Sequence, residues 1–190
     1  MADLKKLAIF ISGRGSNMQS IVNACQSGKI PAEVAIIISN RADAAGLEFA
    51  KNKNIPTAVI NHKDFPSRAT FEDALQQALA PYNVDLICLA GFMRVLTDHF
   101  ITKWPEKILN IHPSLLPKFK GLHPQRQALE AGESESGCSV HYVVPELDSG
   151  PVILQKTVPI EADDTEESLS ARILEQEHTA YPEAIRKILS

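Results

Sequence analysis

The chain has 190 residues, 44% of them hydrophobic, enough to bury one substantial core, and it reads as a single domain over residues 1–190. Its formal charge is −4, from 19 Lys and Arg against 23 Asp and Glu, which excludes a general electrostatic footprint for nucleic acid or an anionic membrane. Cys25, Cys88 and Cys138 are widely spaced and fall in no CxxC or Cys/His ligand pattern, which fits a reducing compartment and no structural metal; a cytoplasmic protein is expected.

Taken in chain order, short β-branched runs alternate with amphipathic stretches, as in βα units around a mostly parallel sheet. Lys5 and Lys6 precede an apolar run, Leu7 to Ile11, that stops at Ser12 and is too short for a signal segment. Strands are expected at Leu7–Ser12, Val34–Ser39, Thr57–Ile60, Leu86–Leu89, Ile108–Ile111, Cys138–Val144 and Val152–Val158. Met18, Ile21, Val22 and Cys25 recur at helical spacing. So do Phe71, Leu75, Ala78, Leu79 and Tyr82, while a helix at about Ala44–Lys53 is rich in small residues. The segment VPELDSGP is too short for a crossover helix, so the last two strands should pair antiparallel near one edge. Asp164 and Glu167 mark a helix start, and Pro182 is expected to bend the long helix that follows. Pro113–Pro124 reads as a functional loop, since strands resume beyond it.

Four places have the residues for chemistry. In ISGRGSN, a strand ends, two glycines permit a tight turn, and Ser16 or Asn17 can cap the next helix. Free N–H groups there suit a phosphate, although a plain βα turn accounts for the pattern equally well. In ILNIHPSLLP, Asn110 and His112 are two apart and share one face of a strand, at the carboxyl end where open α/β sheets bind ligands. A lone histidine there is more simply a hydrogen-bonded core residue; its pairing with Asn110 beside a long loop favours a site. Asp148 in ELDSGP suits an Asx turn, or else orients His112 and favours its protonated form. Glu177 lies between Ile173 and Tyr181 on an apolar stripe, where a carboxylate needs a cation, donors or a ligand. Arg14 stands beside the glycine turn.

SGRGSN, ISNRADAAGLEFA, LAGFMRVL, NIHPSLLPKFKGLH, GCSVHYV, ELDSGPVILQ and EQEHTAYP, in this order, resemble the phosphoribosylglycinamide formyltransferase family, also called glycinamide ribonucleotide transformylases, from about Leu7 to Pro182. The resemblance implies an α/β, Rossmann-like formyltransferase fold with about seven strands and helices on both faces. It implies transfer of a formyl group from 10-formyltetrahydrofolate, a co-substrate, to the amine of glycinamide ribonucleotide in de novo purine synthesis, with no metal. The family's pattern assigns catalysis to Asn110, His112 and Asp148, and ribonucleotide binding to Gly15, Ser16, Asn17 and Glu177. It assigns the folate pocket to Arg68, Met93, Arg94, Val95, Leu96, Asn110, Val144, Pro145, Glu146, Leu147 and Asp148.

Two departures stand out. Leu174 occupies a position that is polar or basic in some members, which would shift phosphate anchoring toward the turn and Arg14, and the chain stops at Ser190 where relatives often continue. Methionyl-tRNA formyltransferase shares NIHPSLLP but is expected to need a more basic surface and a further RNA-binding domain; a formyltetrahydrofolate hydrolase is expected to carry a regulatory domain before the first strand. A non-catalytic sugar-phosphate or nucleotide module is the alternative from another class, disfavoured because a pure binder has no need of Asn110, His112 and Asp148 together. The expected partners are therefore small molecules, with no nucleic acid or membrane, and the assembly a monomer or homodimer.

Overall fold

The computed structural model describes residues 4–190. Its core is a seven-stranded sheet in the order β3-β2-β1-β4-β5-β6-β7. The strands are β1 (Lys5–Ile11), β2 (Ala32–Ser39), β3 (Thr57–Val59), β4 (Leu86–Leu89), β5 (Ile108–His112), β6 (Glu135–Tyr142) and β7 (Val152–Pro159). β1 to β5 pair in parallel, whereas β6 pairs antiparallel with both β5 and β7. The mixed edge expected from the short VPELDSGP connection is therefore produced by one reversed strand, β6.

Among the described residues, six α-helices flank the sheet: α1 (Ser16–Gln26), α2 (Gly46–Asn52), α3 (Arg68–Leu79), α4 (Asp98–Ile101), α5 (Pro124–Glu130) and α6 (Glu166–Leu189). Strand alternation sends Leu7, Ile9, Ile11, Leu109 and Ile111 to one face, where they pack with residues of α1, α2 and α6. Ala8, Phe10, Ile36, Ile38, Ile87 and Ile108 go to the other face, against α3 and α4. Strand order reverses between β1 and β4, because α1 and α2 carry the chain one way from β1 and α3 returns it to the other side. That opening is the usual ligand crevice of such sheets.

Several boundaries differ from expectation for physical reasons. The strand expected over Cys138–Val144 ends at Tyr142, because Gly150 tucks beneath it so closely that an added Cβ would lie 1.7 Å from the Tyr142 carbonyl oxygen. Val144 is thereby placed in the following loop. The helix containing Phe71 tightens into a 3-10 turn at Ala80–Tyr82, where Pro81 supplies no backbone donor. The last helix is capped by Thr165 rather than Asp164, in a reciprocal box with Ser168, while Asp164 accepts from Ser168 and pairs with Arg172. It runs unbroken through Pro182. The short helices α4 and α5 were not expected; α5 begins with Pro124 as the proline-containing loop closes.

No described helix is long and apolar enough to cross a membrane.

Candidate active site

The apolar face shared with α3 and α4 becomes polar toward the carboxyl ends of the strands. On β5 the residues of this face are Ile108, then Asn110, then His112. Antiparallel pairing places His141 opposite Asn110 and Ser139 opposite His112. Ser139 serves the loop after β5: its hydroxyl donates to the Ser114 carbonyl at 2.7 Å and accepts from Leu116 N at 3.0 Å. The prolines and Ser114 thus turn the chain away from the strand end, and His112 keeps a fixed position with only 7% of its surface exposed.

His112 Nε2 donates to the Phe119 carbonyl at 2.8 Å, while Nδ1 faces Asp148 Oδ2 at 3.5 Å. A carbonyl only accepts, so Nε2 carries the hydrogen, and Nδ1 is left turned toward the Asp148 carboxylate. Asp148 adopts φ +48°, a left-handed conformation that aspartate tolerates better than most residues. Its Oδ2 also accepts from Gly121 N at 2.8 Å. Lys120 Nζ donates to Ser149 Oγ at 2.8 Å, so the two loops close on each other around the carboxylate. The sequence left open whether Asn110, His112 and Asp148 meet; they do, around His141.

His141, within GCSVHYV, is a residue to which the sequence alone assigns no role. Its Nδ1 donates to the Tyr142 carbonyl at 2.9 Å, and Nε2 lies 3.3 Å from Asn110 Nδ2 and 3.8 Å from Asp148 Oδ1. Burial lowers its pKa, against the opposing pull of the Tyr142 carbonyl and Asp148. The neutral ring therefore accepts at Nε2 and fixes the Asn110 amide, which keeps a second N–H for another acceptor. Only the β5–β6 register reveals this, since Asn110 and His141 are far apart in sequence.

At the glycine turn, Gly15 rather than Ser16 or Asn17 occupies the cap position of α1, at φ +67° and with no side-chain cap. An added Cβ there would approach Met18 Cε to 2.9 Å. The first N–H groups of α1 thus have no side-chain acceptor from the cap, which suits an anion. Gly46 N donates to the Gly13 carbonyl at 3.0 Å, so the small residues of α2 let its start pack against this turn.

Asn17 Nδ2 instead donates to Glu177 Oε2 at 2.9 Å, and Asn17 Oδ1 is buried with no hydrogen-bond partner among the described residues. Glu177 was expected to have either a structural ion pair or a ligand role; among the described residues it has an amide, not a cation, as its hydrogen-bond partner. Burial pushes its pKa up to about 7, with the Asn17 bond acting in the opposite direction. Arg14 is exposed beside the turn.

The remaining expected residues are spread around the same end of the sheet. Arg68 is exposed at the first position of α3; Met93 and Val95 are exposed after β4, Arg94 is half-buried and Leu96 is buried. Val144 is half-buried, and Pro145, Glu146 and Leu147 are exposed in the β6–β7 loop. The hydrogen bonds and ion pairs of Asn110, His112 and Asp148 reach neither Arg68 nor Met93–Leu96. The cysteines are poor nucleophiles: burial pushes Cys25 up to about 11, Cys138 up to about 12 and Cys88 higher still.

Residues 5–185 match the family model described as formyl transferase. The chain is 49% identical over 183 residues to the phosphoribosylglycinamide formyltransferase of Haemophilus influenzae, covering 96% of this chain and 86% of that protein. It is 48% identical over 188 residues to the trifunctional purine biosynthetic protein adenosine-3 of Chironomus tentans, covering 98% of this chain but only 14% of that protein's length. The solved structure of glycinamide ribonucleotide transformylase 1 from Symbiobacterium toebii superposes with a TM-score of 0.95 at 48% identity, over 98% of this chain and 88% of that one. The match over residues 5–185 and near-half identity to full-length relatives lead to one conclusion: the chain belongs to the formyl transferase family.

Proposed function

We propose that this protein, acting as one formyltransferase domain, transfers the formyl group of 10-formyltetrahydrofolate to the amine of glycinamide ribonucleotide. The observation that carries the reading is the cluster at the end of β5. It combines an asparagine with an N–H to spare and an imidazole held between Phe119 and Asp148.

In the reaction the amine attacks the formyl carbon, a C–N bond forms and the carbonyl electrons collect on oxygen. The free N–H of Asn110 and the imidazolium of His112 stabilise that oxyanion. Collapse breaks the bond to the folate N10, which takes a proton from a His112 ring N–H released from its protein acceptor, and the proton given up by the amine then restores the charged ring, giving tetrahydrofolate and the formamide. Asp148 sustains the charged ring during this exchange.

Gly15, Ser16 and Asn17 hold the substrate phosphate at the start of α1, and Glu177 with the unpartnered Asn17 Oδ1 meets the polar groups of the ribonucleotide. Met93, Val95 and Leu147, large apolar side chains left exposed, suit the flat body of the folate, with Leu96, Arg94, Val144, Pro145 and Glu146 around it. Arg68 suits its carboxylate tail. Both substrates are small molecules, and the reading is a cytoplasmic one.

The test is release of tetrahydrofolate by the purified protein, with each substrate omitted in turn. Release only when both are present is the expected result. Release without the ribonucleotide indicates a hydrolase, and none in either case indicates a binding module.

A further inference from the structure

The polar end of the sheet continues beyond the catalytic cluster into a chain of buried side chains with no role in the reaction above. Ser12 directly follows β1 and begins the glycine turn, and its side chain continues the face that carries Phe10. The hydroxyl accepts from Met93 N at 2.8 Å and donates to Asn40 Oδ1. Asn40 follows β2, and its amide N–H donates in turn to His62 Nδ1 at 3.2 Å. Ser12 is 6% exposed and Asn40 is 2% exposed, so water does not readily replace these bonds.

The strand order explains why one hydroxyl can reach both sides. β1 lies between β2 and β4, so Ser12 stands at the opening between β1 and β4 where the chain diverges. Phe10 reinforces the link, its ring packed against that of Phe92 at 5.3 Å between centroids. The loop from Met93 to Leu96 is then held from its two ends. Ser12 holds Met93, and Glu72 of α3, itself buried, accepts from Thr97 N at 2.7 Å and from Thr97 Oγ1 at 2.6 Å. Of these two anchors only Ser12 belongs to the turn that leads to Gly15, Ser16 and Asn17.

We propose that Ser12 is a positioning residue that couples the two substrate loops, so that ordering the phosphate turn by the ribonucleotide also orders Met93–Leu96 for the folate, and the reverse. The proposal rests on the assignment of those two segments to the two substrates. Serine is suited to the position because both capacities of its hydroxyl are used, one as acceptor and one as donor. The coupling is reciprocal, and one net hydrogen bond corresponds to a change of roughly three- to tenfold in affinity.

The experiment compares wild type, Ser12→Ala and Ser12→Thr in steady-state kinetics and in calorimetric binding of tetrahydrofolate with and without glycinamide ribonucleotide. In Ser12→Ala, KM should rise about three- to tenfold for both substrates while kcat stays within about twofold, and the ribonucleotide should no longer tighten tetrahydrofolate binding. Ser12→Thr, which retains the hydroxyl, should restore the coupling. Asn40→Ala, which leaves Met93 bonded but removes the acceptor that orients Ser12, should move both KM values the same way and serves if Ser12→Ala does not fold. Unchanged KM values and undiminished coupling in a folded Ser12→Ala would overturn the proposal. So would a loss of kcat with unchanged KM. Val95→Asp separates the underlying reading: an unchanged folate KM there shows that this loop does not contact the folate, and the coupling proposal falls with it.

Discussion

At the residue scale, two side chains have surroundings that make definite demands. His141 is buried and neutral, and through Nε2 it holds the amide of Asn110 in one orientation. His141→Ala should leave Asn110 free to rotate and lower kcat by about tenfold or more with little change in KM, since only the charge-developing step needs the aligned N–H. Steady-state kinetics on the variant check this, and an unchanged kcat would show that the pair does no catalytic orienting. Glu177 presents the opposite case, a carboxyl whose pKa is raised by burial to about 7 from the ordinary 4.5. Between those values the folded state holds a proton that the unfolded state has lost, so stability contributed by the protonated group is full below about 4.5 and falls as pH rises through about 7. Glu177→Gln cannot ionise. Relative to it, the unliganded wild type should lose on the order of 3 kcal/mol across this window, read from urea midpoints at successive pH values. Parallel pH profiles for the two proteins would contradict the assignment. The sequence exposed both residues to view, but only partly. Glu177 was visible as a charge on an apolar stripe, whereas its partner Asn17 could be found only from the packing of α6 against α1.

At the element scale, α6 positions the site from behind. Its buried stripe includes Leu169, Ile173, Glu177 and Tyr181, so one face of one helix supplies core contacts and the carboxyl near the glycine turn. Tyr181 is fully buried, and its hydroxyl lies 2.9 Å from the Leu89 carbonyl and 3.1 Å from that of Leu109, sharing one hydrogen between β4 and β5. Tyr181→Phe keeps the ring but leaves both carbonyls without this donor, and should destabilise the fold by about 1–2 kcal/mol. A chemical denaturation midpoint indistinguishable from wild type would mean that the strands do not depend on that bridge. The periodic elements were legible because their apolar spacing repeats: α1, α3, α6 and the seven strands all come from such patterns. The helices α4 and α5 have only four and seven residues, too few turns to impose a period. Strand ends were less legible than strands, since the stop at Tyr142 depends on the close approach of Gly150 rather than on any residue in the strand.

At the scale of the whole molecule, one architectural fact organises the site. The sheet is apolar on both faces through its middle, and on the α3/α4 side it turns polar where the strands end, through Asn40, Ser12, Asn110 and His112. Burying the apolar portion fixes the strands, and the polar ends inherit that rigidity, which holds their short side chains in place. The order of the motifs made the fold class and the family readable from sequence. The meeting of His112 with Asp148 was not readable, because it depends on two loops closing through Gly121 and Lys120. Formyl transfer at the end of β5 is tested by turnover of glycinamide ribonucleotide with 10-formyltetrahydrofolate by His112→Ala. The variant should retain the far-ultraviolet circular dichroism of the wild type and bind both substrates, while kcat falls by roughly a hundredfold or more. A folded His112→Ala that turns over at the wild-type rate would contradict the account.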